Sequence, residues 1–322
     1  MNYFNDWCVV GPNKTDIVCS TDLDRLLQIN EQSLSEIRKN STTQALTIVG
    51  NNPVLCLSGG VDSQAAYKLW DHSVHPITPV IFKFSNNFNS HEVSDALNFC
   101  NTYAINPVVI ELDVLRFLEF NAITYAKKFN ISSPQFAVHC HFLDKVKELG
   151  YTGAVFGGNS FVISQSRSFF HITSAQLSDI ENWSANNLPI ILGYLNFTES
   201  LCLKLALNTP VIDLEFDNHS ELPVETIDLI EHLRYQNKID CYKNCNIGVI
   251  PQESKKTGFE YIKKFYAEQY NNPWTFELKF RYPMYSNNPN KKTNFQIAKN
   301  VQDYLIQNSN KLFRDLPGHE IS

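Results

Sequence analysis

From residue 48 onward, short runs rich in valine, isoleucine, leucine and phenylalanine alternate with stretches of helical period, and few architectures satisfy that rhythm. TIVGNNPVLCLS, ITPVIFKF, NPVVIELD and TGAVFGG read as strands; GVDSQAAYKLWDH, SHEVSDALNFCNTYAI and the stretches running to ELG at 148–150 read as helices. Strands that are apolar at nearly every position are buried on both faces, so the pattern predicts an α/β fold: a parallel sheet with helices on both faces. Ligands of such sheets bind beyond the carboxyl ends of the strands. Upstream, TDLDRLLQINEQSLSEIRK at 21–39 spaces Leu23, Leu26, Leu27, Leu34 and Ile37 as a helix does, with acids early and bases late. After about residue 165 the rhythm changes: TIDLIEHLRY and SKKTGFEYIKKFYAEQY look helical, and WTFELKFRYPMY alternates like a strand. The expected organisation is an N-terminal extension over 1–47, an α/β core over 48–165 and a mainly helical substrate region over 166–322.

Of the 322 residues, 43% are hydrophobic and 19% charged, enough to bury one large core or two moderate ones. The net charge is −6, and the basic residues are scattered apart from pairs such as Lys255-Lys256 and Lys291-Lys292, which argues against nucleic acid as a main partner. No apolar run approaches the roughly 20 residues of a membrane span. The start, MNYFNDWCVV, lacks the basic-then-apolar layout of a signal peptide, so a cytoplasmic protein with no membrane partner is expected. Eight cysteines spread over so long a chain are expected to be reduced thiols.

The chemistry concentrates at one joint, where Ser58-Gly59-Gly60-Val61-Asp62-Ser63 links a buried strand to a helix. A strand, a glycine turn and a helix N-terminus make an anion site, because unpaired N–H groups and the positive end of the helix dipole meet at one point. Glycines allow close approach and positive φ, and Ser58 and Ser63 add hydroxyl donors. Asp62 suits a phosphate only if a cation lies between them, which implies Mg²⁺ bridging carboxylate and phosphate oxygens. The plainer alternative is a turn followed by an Asp/Ser helix cap. No Gly-Lys-Ser/Thr follows, so this is not the Walker A pattern.

SGGVDS resembles the PP-loop of the N-type ATP pyrophosphatases, the superfamily of asparagine, β-lactam, GMP and NAD synthetases and of tRNA-thiolation enzymes. The resemblance implies cleavage of ATP between its α and β phosphates, with Ser58, Gly59, Gly60, Asp62 and Ser63 carrying pyrophosphate and Mg²⁺, and Asp62 as the metal ligand. It places adenine against the strands ending at Leu57 and near Phe82 to Phe84, so that Leu57, Val61 and Phe84 join the nucleotide-binding set. Two further stretches are similar to asparagine synthetases: NTPVIDLEF at 208–216, matching Pro210 and Asp213, and ESKKTGFEYI at 253–262, which puts Lys256 on the family's catalytic lysine. A fixed ammonium there would stabilise the charge that adenylation builds; the alternative is a solvated lysine on a helix's first turn. The chain departs from the family at Asn208, which replaces an arginine, and at FGGNSFV, where Gly157 and Gly158 approach the nucleotide but Asn159 is followed by no acid. A strand-ending turn is the alternative for that glycine pair. The stretch before the loop is too short for a glutaminase domain, so the resemblance implies ammonia or an amine as nucleophile, free or supplied by a separate protein.

Other constellations are open. Cys241 and Cys245 lie one helical turn apart and read as two small apolar residues, as half of a zinc site needing His219 or Cys202, or as a sulfur-transfer pair. His139 and His141 flank Cys140 but face different sides of a helix. Arg167 suits a phosphate or carboxylate clamp or a plain surface, and Trp70, Phe82 and Phe84 read as core.

The expected activity is an AMP- and pyrophosphate-forming ligase that adenylates a small-molecule carboxylate and forms an amide, using ATP and Mg²⁺. The alternatives are a nucleobase- or tRNA-modifying enzyme using cysteine sulfur, and a non-catalytic nucleotide-binding protein.

Overall fold

The computed structural model of the chain describes residues 8–10, 17–19, 23–158, 183–184, 187–209, 224–252 and 257–286. A short antiparallel hairpin, β1 (Cys8–Val10) and β2 (Ile17–Cys19), precedes α1 (Leu23–Glu31) and α2 (Leu34–Val49). Then follow β3 (Pro53–Cys56), α3 (Val61–Leu69), β4 (Thr78–Phe84), α4 (Ser90–Thr102), β5 (Val108–Leu112), α5 (Val114–Phe120), α6 (Ala122–Phe129), α7 (Pro134–Glu148), β6 (Gly153–Val155) and β7 (Ile190–Ile191). A 3₁₀ turn (Tyr194–Asn196) leads to α8 (Glu199–Leu207), α9 (Val224–Asn244), α10 (Gly258–Gln269), a π-helical turn (Glu277–Arg281) and α11 (Tyr282–Ser286).

Strands β3 to β7 form one sheet of order β5-β4-β3-β6-β7, and every pairing in it is parallel. All four residues of β3 are buried, which follows from its central place and its covered faces. Alternation along that strand sorts its side chains between two layers. Leu55 and Leu57 join Val49, Ala65, Leu69, Phe99 and Leu201 on one face, from α2, α3, α4 and α8. Val54 and Cys56 join Phe117, Ala126, Phe142, Ile262 and Phe280 on the other, from α5, α6, α7, α10 and the π turn. The expected α/β architecture is therefore present, with helices on both faces. The sheet reaches beyond residue 165, since β7 extends β6 at Ile190–Ile191.

From β3 the chain steps outward to β4 and β5, then crosses to β6 on the other side of β3. A crevice opens at such a reversal, beyond the carboxyl ends of the strands. The Ser58–Ser63 string lies there.

Two stretches read as strands are helical. Thr47-Ile48-Val49 is the last turn of α2, not the start of a strand. Ser33 caps that helix by accepting a hydrogen bond from the Glu36 amide, and buried Ile37, Ser41, Ala45 and Val49 recur every fourth residue, a helical spacing that outweighs the β-branched triplet. WTFELKFRYPMY is the π turn and α11, because its buried Phe276, Phe280 and Met284 are four residues apart. Alternation of period two contains a period of four, and Tyr266 collects Phe276 and Phe280 at ring distances of 6.2 and 5.1 Å.

Gly153 shows how closely α2 lies on the sheet. A Cβ there would stand 2.5 Å from the Cα, Cβ and O of Val49, all atoms of a buried helix end. Gly153→Ala is expected to lower stability by about 1–3 kcal/mol, read as a drop in the urea midpoint at unchanged slope; an unaltered midpoint would contradict this packing.

Candidate functional site

Leu57 extends β3 by donating its N–H to the Val80 carbonyl at 2.8 Å, and the chain then turns through Ser58, Gly59 and Gly60 into α3. Gly59 has φ +83°, and a Cβ there would lie 2.7 Å from the Glu92 carbonyl oxygen and 2.8 Å from the Ala96 nitrogen on α4. Conformation and packing both demand glycine at this position. Gly60 differs: it is the extended N-cap of α3, and a Cβ there would meet nothing nearer than 3.5 Å. Its bare side leaves room for a Cβ at ordinary contact with Gln252 Oε1 and Ser58 Oγ, both at 3.5 Å.

The carbonyls of Gly59 and Gly60 are held, while their amides have no acceptor among the described residues. Gln64, fully buried, donates from Nε2 to the Gly59 carbonyl at 2.5 Å and to the Ile250 carbonyl at 2.9 Å, and its Oε1 accepts from the Ile250 amide at 2.7 Å. The Gly60 carbonyl accepts from the Gln64 amide at 3.1 Å and from Ser63 Oγ at 2.8 Å. Ser63 Oγ also accepts from the Ser58 amide at 3.3 Å, so its own proton stays within the loop. The N–H groups of Gly59, Gly60, Val61, Asp62 and Ser63 have no acceptor among the described residues, and no side chain caps the helix. Orphan donors at a helix N-terminus with their carbonyls turned away form an anion cradle.

Gly157, after β6, lies flat on the first turn of α3: a Cβ would meet the Asp62 carbonyl and the Ser63 nitrogen at 2.8 Å. Gly158, at φ +103°, presses on Gly193 and Asn196 in the same way. Both glycines line the cavity; Gly157 also seats the end of β6 on α3, and Gly158 seats it on the segment after β7. Asn196 is buried there, with an Oδ1 that has no partner among the described residues.

Asp62, in the first turn of α3, is engaged from across the fold. Lys238 Nζ lies 2.6 Å from Oδ2, and Tyr242 Oη donates to Oδ1 at 2.6 Å. Lys238 and Tyr242 are one turn apart on α9, hence on one face. Burial and the Asp62 charge push the Tyr242 phenol well above its ordinary value, so it remains a donor. Each carboxylate oxygen can take a second partner, so Asp62 fits Mg²⁺ once the ammonium shares or yields its oxygen.

The cradle opens into a cavity of about 690 Å³ lined by Ser58, Gly60, Asp62 and Ser63 on one side and by aromatic rings on the other. Phe82 stacks on Phe142 at 4.4 Å, and Phe84 meets Phe259 edge-on at 5.7 Å. Of the residues the resemblance implies for the nucleotide, Leu57, Phe84, Gly157 and Gly158 border this space, whereas Gly59 and Val61 do not, Val61 being buried in the core. Glu92 and Arg281 are further charged residues in the wall, and burial raises the Glu92 carboxyl.

Other sequence candidates separate from this site. Lys256, Asn159, Arg167, Pro210, Asp213 and His219 lie outside the described residues, although Thr257, next to Lys256, lines the cavity. Asn208 ends α8 and accepts a hydrogen bond from Asn244 on α9, away from the cavity. Cys241 is buried with its thiol directed to the Leu205 carbonyl at 3.1 Å; neither it nor Cys245 borders the cavity. The described residues contain no group of three metal-ligating side chains, so the cysteine pair has no zinc partners among them. Cys56, Cys100, Cys140, Cys202, Cys241 and Cys245 form no disulfide. Among the described residues no helix is long and apolar enough to cross a membrane. His139 and His141 diverge as expected: the first faces the cavity, and the second stacks on Phe117 at 4.5 Å.

No family model and no curated protein matches the chain. Among solved structures it is similar to the NMN synthetase of Francisella tularensis, with 13% identity over 68% of this chain and 97% of that one and a TM-score of 0.31. It is also similar to the NH3-dependent NAD synthetase of Campylobacter jejuni, with 15% identity over 65% and 94% and a TM-score of 0.30. The U34-tRNA thiolase of Methanococcus maripaludis gives 16% identity over 69% and 82% and a TM-score of 0.32.

His139 supplies a pH test of the cavity wall. Burial among Phe259 and its neighbours pushes the imidazole down from 6.5 to about 4. The folded value lies below the unfolded one, so the unfolded chain binds the extra proton. Stability from this group is complete above about pH 6.5 and declines as pH falls toward about 4. The urea midpoint is expected to fall more steeply across that window in the native chain than in His139→Gln; parallel profiles would contradict an imidazole kept neutral in the folded chain.

Proposed function

We propose that the chain is an ATP-dependent enzyme that cleaves its nucleotide between the α and β phosphates, with residues 58–63 as the pyrophosphate cradle. The observation that supports this reading is the set of N–H groups from Gly59 to Ser63 with no acceptor among the described residues, beside carbonyls that Gln64 and Ser63 hold back. A cavity of about 690 Å³ has room for a mononucleotide and a small second substrate. The aromatic wall at Phe82, Phe84 and Phe142 suits a flat base, and the polar end at Ser58 and Gly60 suits its phosphates.

Among reactions of this kind, adenylation of a carboxylate followed by amide formation agrees best with the sequence similarity at Pro210, Asp213 and Lys256. In that reaction the substrate carboxylate attacks the α-phosphate, the bond to the β-phosphate breaks, and pyrophosphate departs into the loop. Ammonia or an amine then displaces AMP from the acyl carbon. Fixed N–H dipoles stabilise charge building on the leaving group at no reorganisation cost. Mg²⁺, when bound at Asp62, would offset part of that charge. The sequence similarity gives Lys256 the role of offsetting charge that builds at the α-phosphate. Sulfur transfer from Cys241 or Cys245 is the less favoured reading, since neither borders the cavity.

Mixing the protein with ATP, Mg²⁺, ammonium and a panel of small carboxylic acids is expected to release pyrophosphate and AMP together. Asp62→Ala and Lys256→Ala are each expected to slow release by on the order of 10²-fold or more. Pyrophosphate release at the native rate in Asp62→Ala would refute the assignment of that carboxylate, and release of ADP and phosphate instead would refute the reaction class.

A further inference from the structure

We propose that Lys238 is a mobile counter-ion for the polyphosphate: it rests on Asp62 while the cradle is empty and moves onto phosphate oxygens when they arrive, leaving Asp62 to Mg²⁺. The inference rests on the pyrophosphate reading of the loop and adds a residue that no feature of the loop's own sequence specifies.

Lys238 is brought to Asp62 by the fold, over a separation of 176 residues, at an N···O distance of 2.6 Å. A carboxylate meant only for a divalent cation gains nothing from a resident ammonium, which that cation must displace. A lysine with a second task does make sense there. Its ammonium sits on a flexible four-carbon stem with three donors, and both partners keep about a fifth of their side-chain surface exposed, 20% and 21%. The pair is therefore not locked in a dry interior.

Tyr242 makes the exchange feasible. Its hydroxyl holds the other Asp62 oxygen at 2.6 Å from the same face of α9, so the carboxylate keeps one anchor when the ammonium leaves. Gln64 and Ser63 hold the loop itself, so that the exchange requires no backbone change. Charge balance points the same way. Among the described residues Lys238 is the cation in an ion pair with the loop, and a bound pyrophosphate adds several negative charges beside Asp62. An ammonium one hydrogen bond away moves toward that charge.

Calorimetric titration with inorganic pyrophosphate, in chelator and then in Mg²⁺, tests the assignment on the whole chain. The native protein is expected to bind pyrophosphate without metal. Lys238→Ala is expected to lose at least about tenfold of that metal-free affinity and Lys238→Arg to keep most of it, since arginine retains the charge and donors. Mn²⁺ alone, followed by electron paramagnetic resonance, is expected to bind Lys238→Ala more tightly than the native chain, because Asp62 is then free of the ammonium. An unchanged thermal midpoint of Lys238→Ala separates these effects from misfolding; should it unfold, Lys238→Met, which keeps the stem, replaces it. Metal-free pyrophosphate affinity in the variant within twofold of native would overturn the role of Lys238 alone. A native chain that takes up no pyrophosphate with or without Mg²⁺ would overturn the loop reading and this inference with it.

Discussion

Two hydrogen bonds to carbonyl oxygens govern the site. Gln64 pulls the Gly59 carbonyl into the protein, and Ser63 pulls back that of Gly60. With both oxygens turned inward, the N–H groups of the turn and of the first helical residues are left with a common outward field, undiluted by opposing dipoles. A turn whose carbonyls faced the same cavity would repel phosphate as much as its amides attracted it. Gln64 also ties the loop to Ile250, so the segment after α9 is registered against the cradle by the side chain that shapes it.

The sheet explains why the construction stands where it does. β3 is central and buried on both sides, its Val54 and Cys56 facing one layer and its Leu55 and Leu57 the other. Its exit cannot drift. β6 runs beside it, and Gly157, lacking a Cβ, lets the β6 exit settle directly on the Asp62–Ser63 backbone. Two strand ends with the chain reversing between them leave a crevice, and helices α7 and α10 close its far side with Phe142, His139 and Phe259.

What the sequence disclosed followed from locality. The strand, turn and helix at 53–69 are contiguous, and their glycines and acid point to the proposed phosphate site without knowledge of the rest of the chain. Gly157 and Gly158, read as a second approach to a nucleotide, line the cavity; the packing of Gly157 on α3 and of Gly158 on Gly193 and Asn196 needed coordinates. Lys238 and Tyr242 were invisible for the opposite reason. They form an i, i+4 pair on a long helix, a spacing that usually marks a solvated face, and only the fold aligns it with Asp62. His139 and Asn196 entered the cavity wall likewise, through helix orientation. The two misread stretches share a cause: Thr47-Ile48-Val49 and WTFELKFRYPMY carry β-forming residues whose burial repeats every fourth position, and short apolar windows do not separate that period from alternation.

The central claim is that backbone amides of the turn receive the terminal phosphates of a nucleotide. A crystal structure with α,β-methylene-ATP, which resists cleavage at the scissile position, tests it most directly. The account predicts β- and γ-phosphate oxygens within about 3 Å of the amide nitrogens of Gly59, Gly60 and Val61, with the base against Phe82 and Phe142. Phosphates located elsewhere, with those amides bonded to protein or facing the purine, would contradict it.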